Sequence, residues 1–269
     1  MVGGRINDLK EGLKGEIWGA LENGSIKIWE EEGYLMKVID PNTSNNSTEK
    51  KSNISPIKSL DVNKEKEMMV GCSADGKVKI WNLIDHVCLK MIVVGFEIVN
   101  LKFFQDYIWV KGENKNFFLG ISVDHQKVVL PIRNANHPSN NNVISFLVKD
   151  SKLYSIAENM MECWEFSEKG LLSQNCILFR SAPKSVSLID QDLFVGNSED
   201  GNLHIYENQS NKSDPKKAAF SSNYKNIYLP LLKENNQNIR HISFFEMKGI
   251  TFIFLAGKNK ICILRKEKK

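Results

Sequence analysis

The side chains in this chain that are equipped for chemistry are few and scattered. The candidate metal ligands and nucleophiles are five histidines (His86, His125, His137, His204 and His241) and five cysteines (Cys72, Cys88, Cys163, Cys176 and Cys262). No two of them stand at a ligand spacing and no CxxC pair occurs, so neither a zinc site nor a disulfide framework is expected. There is no GxSxG elbow, no phosphate-cradling glycine loop and no HExxH helix. His204 alternates with the apolar Leu203 and Ile205, which predicts a surface position. His241 precedes a predicted strand, where it could hydrogen-bond locally. Cys72 and Cys163 fall inside predicted strands, where a thiol behaves as a small hydrophobe. The expectation is a chain with no catalytic residue, no cofactor and no metal.

One recurrent chemical pattern is acidic. Glu22, Asp75, Glu113, Glu158 and the pair Glu199/Asp200 each fall in a tight turn, and Lys258 takes the corresponding place near the C-terminus. Gathered on one face, such turns would form a negative rim able to steer a basic peptide. The competing reading is that an acidic residue simply suits the turn.

The elements that must position these turns are visible as a repeat. Asn23-Gly24-Ser25-Ile26-Lys27-Ile28-Trp29 and Asp75-Gly76-Lys77-Val78-Lys79-Ile80-Trp81 are each a turn dipeptide, an alternating strand and a tryptophan. Asn-Gly and Asp-Gly favour the positive φ of a hairpin turn, and the alternation is that of a strand. Without gaps, the template recurs four more times, ending at Gly120, Trp164, Tyr206 and Leu264. Three and one residues before the six ends lie Ile26/Ile28, Val78/Ile80, Phe117/Leu119, Met161/Cys163, Leu203/Ile205 and Ile261/Ile263. Eleven before lie Trp18, Val70, Trp109, Leu153, Val195 and Ile253. With 42% of residues hydrophobic, chance does not readily fill all eighteen positions with apolar side chains. Because that last column is apolar throughout, Trp18 and Trp109 are expected in a core rather than at a ligand. A further strand precedes each hairpin, as in Ile6-Asn7-Asp8-Leu9 and Ile57-Lys58-Ser59-Leu60. Room for a fourth usually follows, as in Tyr34–Ile39. Polar Asn- and Ser-rich stretches at 40–53, 134–142, 208–223 and 233–238 read as surface loops.

Ser73-Ala74-Asp75-Gly76-Lys77-Val78-Lys79-Ile80-Trp81-Asn82 resembles the close of a WD40 repeat, and Asn23–Glu30 and Ser198–Glu207 are similar, with Tyr206 in the place of tryptophan. The resemblance spans the chain and implies an all-β fold, a WD40-like β-propeller of six repeat units in a single domain over residues 1–269. The Gly-His dipeptide common in that family is absent, so the family's buried Asp-His-Ser/Thr-Trp network is not expected to be complete. The resemblance also implies the function: a non-catalytic scaffold with a protein or peptide partner, in a multiprotein assembly or a larger signalling protein. The alternative is a structural subunit with an open propeller, completed by a partner's strand or blade, in the manner of coat and pore scaffolds.

That alternative has a basis in this sequence. The first unit begins directly with its innermost strand at Ile6, and only Arg265–Lys269 follow Leu264. The sixth unit is therefore expected to lack its outer strand, leaving Ile261, Ile263 and Leu264 on an open edge able to accept a partner strand. A closed six-bladed ring sealed by Met1–Arg5, and a chain cut from a longer protein, are the other outcomes. The formal net charge of +4 is mild, and much of it sits in Lys258, Lys260, Arg265, Lys266, Lys268 and Lys269. A basic stripe interleaved with aromatics is missing, so nucleic acid is not expected as a direct ligand. Met1–Arg5 carries no apolar run of a signal peptide, and no stretch approaches the ~18 apolar residues of a spanning helix. The expected setting is intracellular, cytoplasmic or nuclear.

Overall fold

A computed structural model describes residues 4–40, 55–113, 118–124, 128–131, 143–149, 151–157, 160–167, 170–179, 183–189, 192–197, 202–208, 220–227, 241–247, 250–256 and 261–267. The chain divides into two compact units, Met1–Pro131 and Ile132–Lys269. Unit 1 holds three antiparallel sheets of four strands each. The first is β1 (Ile6–Glu11), β2 (Ile17–Leu21), β3 (Ile26–Trp29) and β4 (Leu35–Ile39). The second is β5 (Ile57–Asn63), β6 (Met68–Ser73), β7 (Lys77–Asn82) and β8 (Cys88–Val93). The third is β9 (Ile98–Phe104), β10 (Tyr107–Gly112), β11 (Phe118–Ser122) and β12 (Val128–Val129). Unit 2 holds β13 (Val143–Lys149) to β16 (Gly170–Leu178), with β14 (Lys152–Ala157) and β15 (Met160–Ser167) between them. Next come β17 (Pro183–Ile189), β18 (Asp192–Asn197), β19 (Leu203–Asn208) and β20 (Phe220–Ile227). The last sheet is β21 (His241–Met247), β22 (Ile250–Ala256) and β23 (Ile261–Glu267). In every sheet the strands lie in chain order, so each sheet is a meander.

Five of the six inner strands share one irregularity. The register slips by a residue between Ile6 and Asp8, Ile57 and Ser59, Ile98 and Asn100, Val143 and Ser145, and Pro183 and Ser185. The residue after each bulge is short and polar: Asp8, Ser59, Asn100, Ser145 or Ser185. Bulges re-aim side chains at a sheet edge, and here four inner-strand side chains reach the next inner strand. Asp8 Oδ2 accepts the Leu60 N–H at 2.8 Å and the Ser59 hydroxyl at 3.1 Å. Asn7, the bulged residue itself, donates to the Ile57 carbonyl at 2.8 Å. Two residues beyond Ser59, Asp61 accepts the Phe103 N–H at 2.8 Å and pairs with Lys102 at 2.7 Å. In unit 2, Ser185 Oγ accepts the Ile242 N–H at 2.9 Å. An inner strand has a neighbour on one side only, so these side chains satisfy amides that would otherwise lack a partner.

The cores lie between successive sheets. Trp18, Ala20, Ile26 and Ile28 of the first sheet pack on Leu60, Met69 and Trp81 of the second. Val70, Cys72, Val78 and Ile80 pack from the opposite face of that sheet on Leu101, Phe103, Ile108 and Val110 of the third. In unit 2 the fourth sheet meets the fifth through Tyr154, Ile156, Cys163, Leu193 and Tyr206, and the fifth meets the sixth through Ile189, Leu203, Ile253 and Leu255. Trp18 and Trp109 are both wholly buried, as their apolar column predicts. Gly71 admits the Trp81 indole, which would stand 3.0 Å from an added Cβ.

Two sequence expectations need correction. His204 is not at the surface; it is 4% exposed. A strand with one wet face alternates between core and solvent, but the fifth sheet is covered on both faces, with Tyr206 in one core and Leu203 in the other. The ungapped repeat also hides differences in hairpin length. The residue eleven before a unit's end faces the one just before that end in the first two units (Trp18 with Ile28, Val70 with Ile80). It faces the end residue itself in the third, fourth and sixth (Trp109 with Gly120, Leu153 with Trp164, Ile253 with Leu264) and His204 in the fifth. The apolar columns survived this slip because positions on either face of a doubly covered strand are apolar.

Replacing Asp61 by alanine strands the buried Phe103 amide and is expected to cost about 2–3 kcal/mol in urea unfolding. Asp106→Ala removes only the exposed Lys66 pair and should change stability by less than ~1 kcal/mol. Gly76 has φ +78° and an added Cβ would lie 2.5 Å from the Phe96 carbonyl oxygen, whereas Gly33, at φ +88°, faces open space. Gly76→Ala should therefore lower the urea midpoint more than Gly33→Ala.

Candidate functional site

The acidic turns of unit 1 are built by a repeated backbone lock. Glu22 N–H donates to Arg5 O at 2.9 Å, Ala74 N–H to Pro56 O at 3.1 Å and Glu113 N–H to Glu97 O at 2.9 Å. Glu22 and Glu113 thus share the position of Ala74, while Asp75 shares that of Asn23. The side chains at this second position lock the hairpin: Asn23 Oδ1 accepts Ser25 N–H and Oγ–H, at 3.1 and 2.7 Å. Asp75 accepts the Ser73 hydroxyl at 2.5 Å and pairs with Lys77 at 2.7 Å. Burial alone would raise the Asp75 carboxyl, but hydrogen bonds from Lys77 and Ser73, with the lysine's charge, hold it below the ordinary value. Its charge is engaged in the turn. Glu113 lies against Glu97, whose carboxyl is raised first by their shared hydrogen bond and then by burial and by the neighbouring charge. The acidic residues of unit 1 therefore occupy two different turn positions. Glu158, Glu199 and Asp200 lie outside the described residues.

The second candidate is the outer strand of the last sheet. Among the described residues that sheet has three strands, in the order β21-β22-β23, and β23 pairs only with β22. Cys262 and Leu264 turn toward the core shared with the fifth sheet. Ile261 and Ile263, on the opposite face, are 69% and 59% exposed. The structure therefore separates the three edge residues expected from sequence: Leu264 packs inward, and the two isoleucines stand out.

Among the described residues the thiols and histidines are not assembled into a reactive site. Burial pushes the Cys72 thiol up to about 12 and raises Cys163 as well, so both are inert at neutral pH. All five cysteines are free. His86 closes a small cluster in which Glu16 Oε2 lies 3.3 Å from His86 Nε2 and accepts Trp18 Nε1–H at 3.4 Å. The cluster joins the β1–β2 turn to the loop after β7. Among the described residues no group of three His, Cys, Asp or Glu is placed to hold a metal, and no helix is long and apolar enough to cross a membrane.

Sequence reasoning overlooked Asp8 and Asp61, the most connected carboxylates of unit 1. The signal was present as a short polar residue after each inner-strand isoleucine or valine, but a bulge is needed to see why it is there. Glu97 was also missed, because it becomes relevant only once the β9–β10 register brings it to Glu113.

No family model matches the chain, and no curated protein matches its sequence. Solved structures do. A chain of a mitotic checkpoint complex superimposes with a TM-score of 0.71 at 12% identity, covering 100% of this chain and 76% of that one. The β-propeller domain of Myceliophteria thermophila Cps50 (Swd1) gives 0.69 at 11% identity, covering 98% and 84%. The computationally designed Ika8 protein gives 0.63 at 13%, covering 97% and 70%. At such identities the likeness shows the fold alone: an all-β propeller with the six sheets as its blades.

Because the Asp75 carboxyl is held below its ordinary value, its stabilisation is complete above the usual aspartate range and fades as pH falls through it. The urea-midpoint difference between the wild type and Asp75→Asn should be present at pH 7 and shrink as pH falls below the ordinary aspartate range. A difference independent of pH would show that the charge plays no part in the turn.

Proposed function

We propose that this chain is a non-catalytic, WD40-like scaffold that binds a protein partner by accepting a strand along β23. The carrying observation is the last sheet, three-stranded among the described residues, whose outer strand presents Ile261 and Ile263 beside a backbone edge that no described strand pairs. An exposed apolar edge is a template for strand addition, with backbone hydrogen bonds supplying affinity and alternate side chains supplying specificity. The lysines that follow β23 suit a partner segment with acidic residues near that end. The WD40-like reading draws further support from the fourth sheet, where Trp164 Nε1 donates to the buried Ser155 hydroxyl at 2.8 Å. That is one link of the kind found in the family's tryptophan network.

The acidic turns support a second surface less well. Asp75 is committed to its own hairpin, so a basic peptide would compete with Lys77 there.

The reading is tested by Ile261→Lys combined with Ile263→Lys, which charges the edge without touching Cys262 or Leu264. Complexes captured with the tagged wild-type protein from its native cells should lose a specific partner when the double variant is used. The melting temperature of the purified chain should stay unchanged. An identical set of partners from both proteins would remove β23 as the binding edge.

A further inference from the structure

Exposed apolar side chains in unit 1 concentrate on the outer strands, and on β8 they form an ordered row. Leu89, Met91 and Val93 are 52%, 52% and 65% exposed. They alternate with Lys90 and Ile92, which turn toward the third sheet: Ile92 joins the core there and Lys90 Nζ donates to the Val123 carbonyl at 2.9 Å. The exposed row thus lies on the face that turns toward the first sheet. Trp81, on that same face but one strand further in, is buried against Trp18 and Ile28. Going outward from β7 to β8, the packing between the first two sheets opens, leaving a wedge between β4 and β8.

Lysines border this wedge. Lys79 lies directly opposite Met91 in the β7–β8 register, so the two share a face. Among the described residues Lys79 has no carboxylate partner. Lys37, on β4, reaches across to the Asp85 carbonyl at 3.0 Å, which leaves its ammonium charge unneutralised at the Leu89 end. Lys77 at the other end is neutralised by Asp75. The floor is apolar, with Ile39 and Trp81 belonging to the same core.

We propose that this wedge is a second protein-binding site, independent of β23, for an extended segment in which apolar and acidic residues alternate. Side chains on one face of an extended strand recur every ~6.8 Å, which is the repeat presented by Leu89, Met91 and Val93. The apolar residues of the ligand lie along this row. Its carboxylates meet Lys79 and Lys37, where they replace water around charges that have no carboxylate of their own.

The probe is a fluorescent, end-blocked peptide of alternating leucine and glutamate, compared with its leucine–lysine counterpart, using anisotropy with the full chain. The acidic peptide is expected to bind about tenfold more tightly. Met91→Ser with Val93→Ser should weaken it by a similar factor, and Lys79→Glu should shift the preference toward the lysine peptide. Leu178→Lys, at an exposed position of β16 in the other unit, should leave binding unchanged. Circular dichroism melts confirm that each variant is folded. Equal binding of the two peptides, or indifference to the Met91/Val93 and Lys79 variants, would overturn the proposal. So would capture of the chain by phosphatidylserine vesicles without peptide binding, or a dimer in sedimentation that the Met91/Val93 variant dissolves.

Discussion

An inner strand covered on one side leaves a row of backbone amides with no sheet neighbour, and the rest of this structure depends on what those amides meet. Here they meet side chains of the preceding sheet. Asp8 holds Leu60, Asp61 holds Phe103 and Ser185 holds Ile242. Hydrogen bonds to a charged acceptor are among the stronger ones, and their direction fixes how one sheet is placed against the next before any apolar side chain packs. The bulge that positions Asp8 recurs in five sheets, so the device is built into the inner strand as a unit. Apolar packing then fills the space that this spacing leaves, with Trp18 and Trp81 in one gap and Cys72 and Phe103 in the next.

The outer strands meet the opposite situation. Apolar side chains on the outer strands stay exposed where those on the strands within are buried. On β8 this leaves Leu89, Met91 and Val93 uncovered; on β23 it leaves Ile261 and Ile263, with no fourth strand beside them among the described residues. Lysine at mid-strand partly compensates in unit 1. Lys37 and Lys90 occupy corresponding places opposite Ile28 and Ile80, and each bonds to a carbonyl of the following sheet. Both proposed binding surfaces accordingly lie on outer strands, where exposed apolar rows are found.

Much of this fold could be read from residues. Asn23-Gly24 and Asp75-Gly76 announced hairpins, and Gly24 and Gly76 do adopt φ of 76° and 78°. What could not be read is anything that depends on a second covering sheet. His204 was placed outside because its strand alternates, but alternation means solvent only where one face is wet. The turn acids looked like one column because sequence spacing cannot distinguish the Glu22 position from the Asp75 position; the backbone locks to Arg5, Pro56 and Glu97 do. The wedge beside β8 was invisible for a related reason. An apolar strand residue looks the same in sequence whether the neighbouring sheet lies close against it or has diverged.

Residue-resolved hydrogen exchange on the isolated chain tests the account most directly, since it reads the inner and outer edges together. The Leu60 and Phe103 amides, each held by a neighbouring carboxylate, should exchange only as fast as the sheets separate. Alternate amides along β23 and β8, on edges without a strand partner among the described residues, should exchange orders of magnitude faster. Inner amides that exchange as quickly as those of β23, or a β23 as protected as β22, would contradict it.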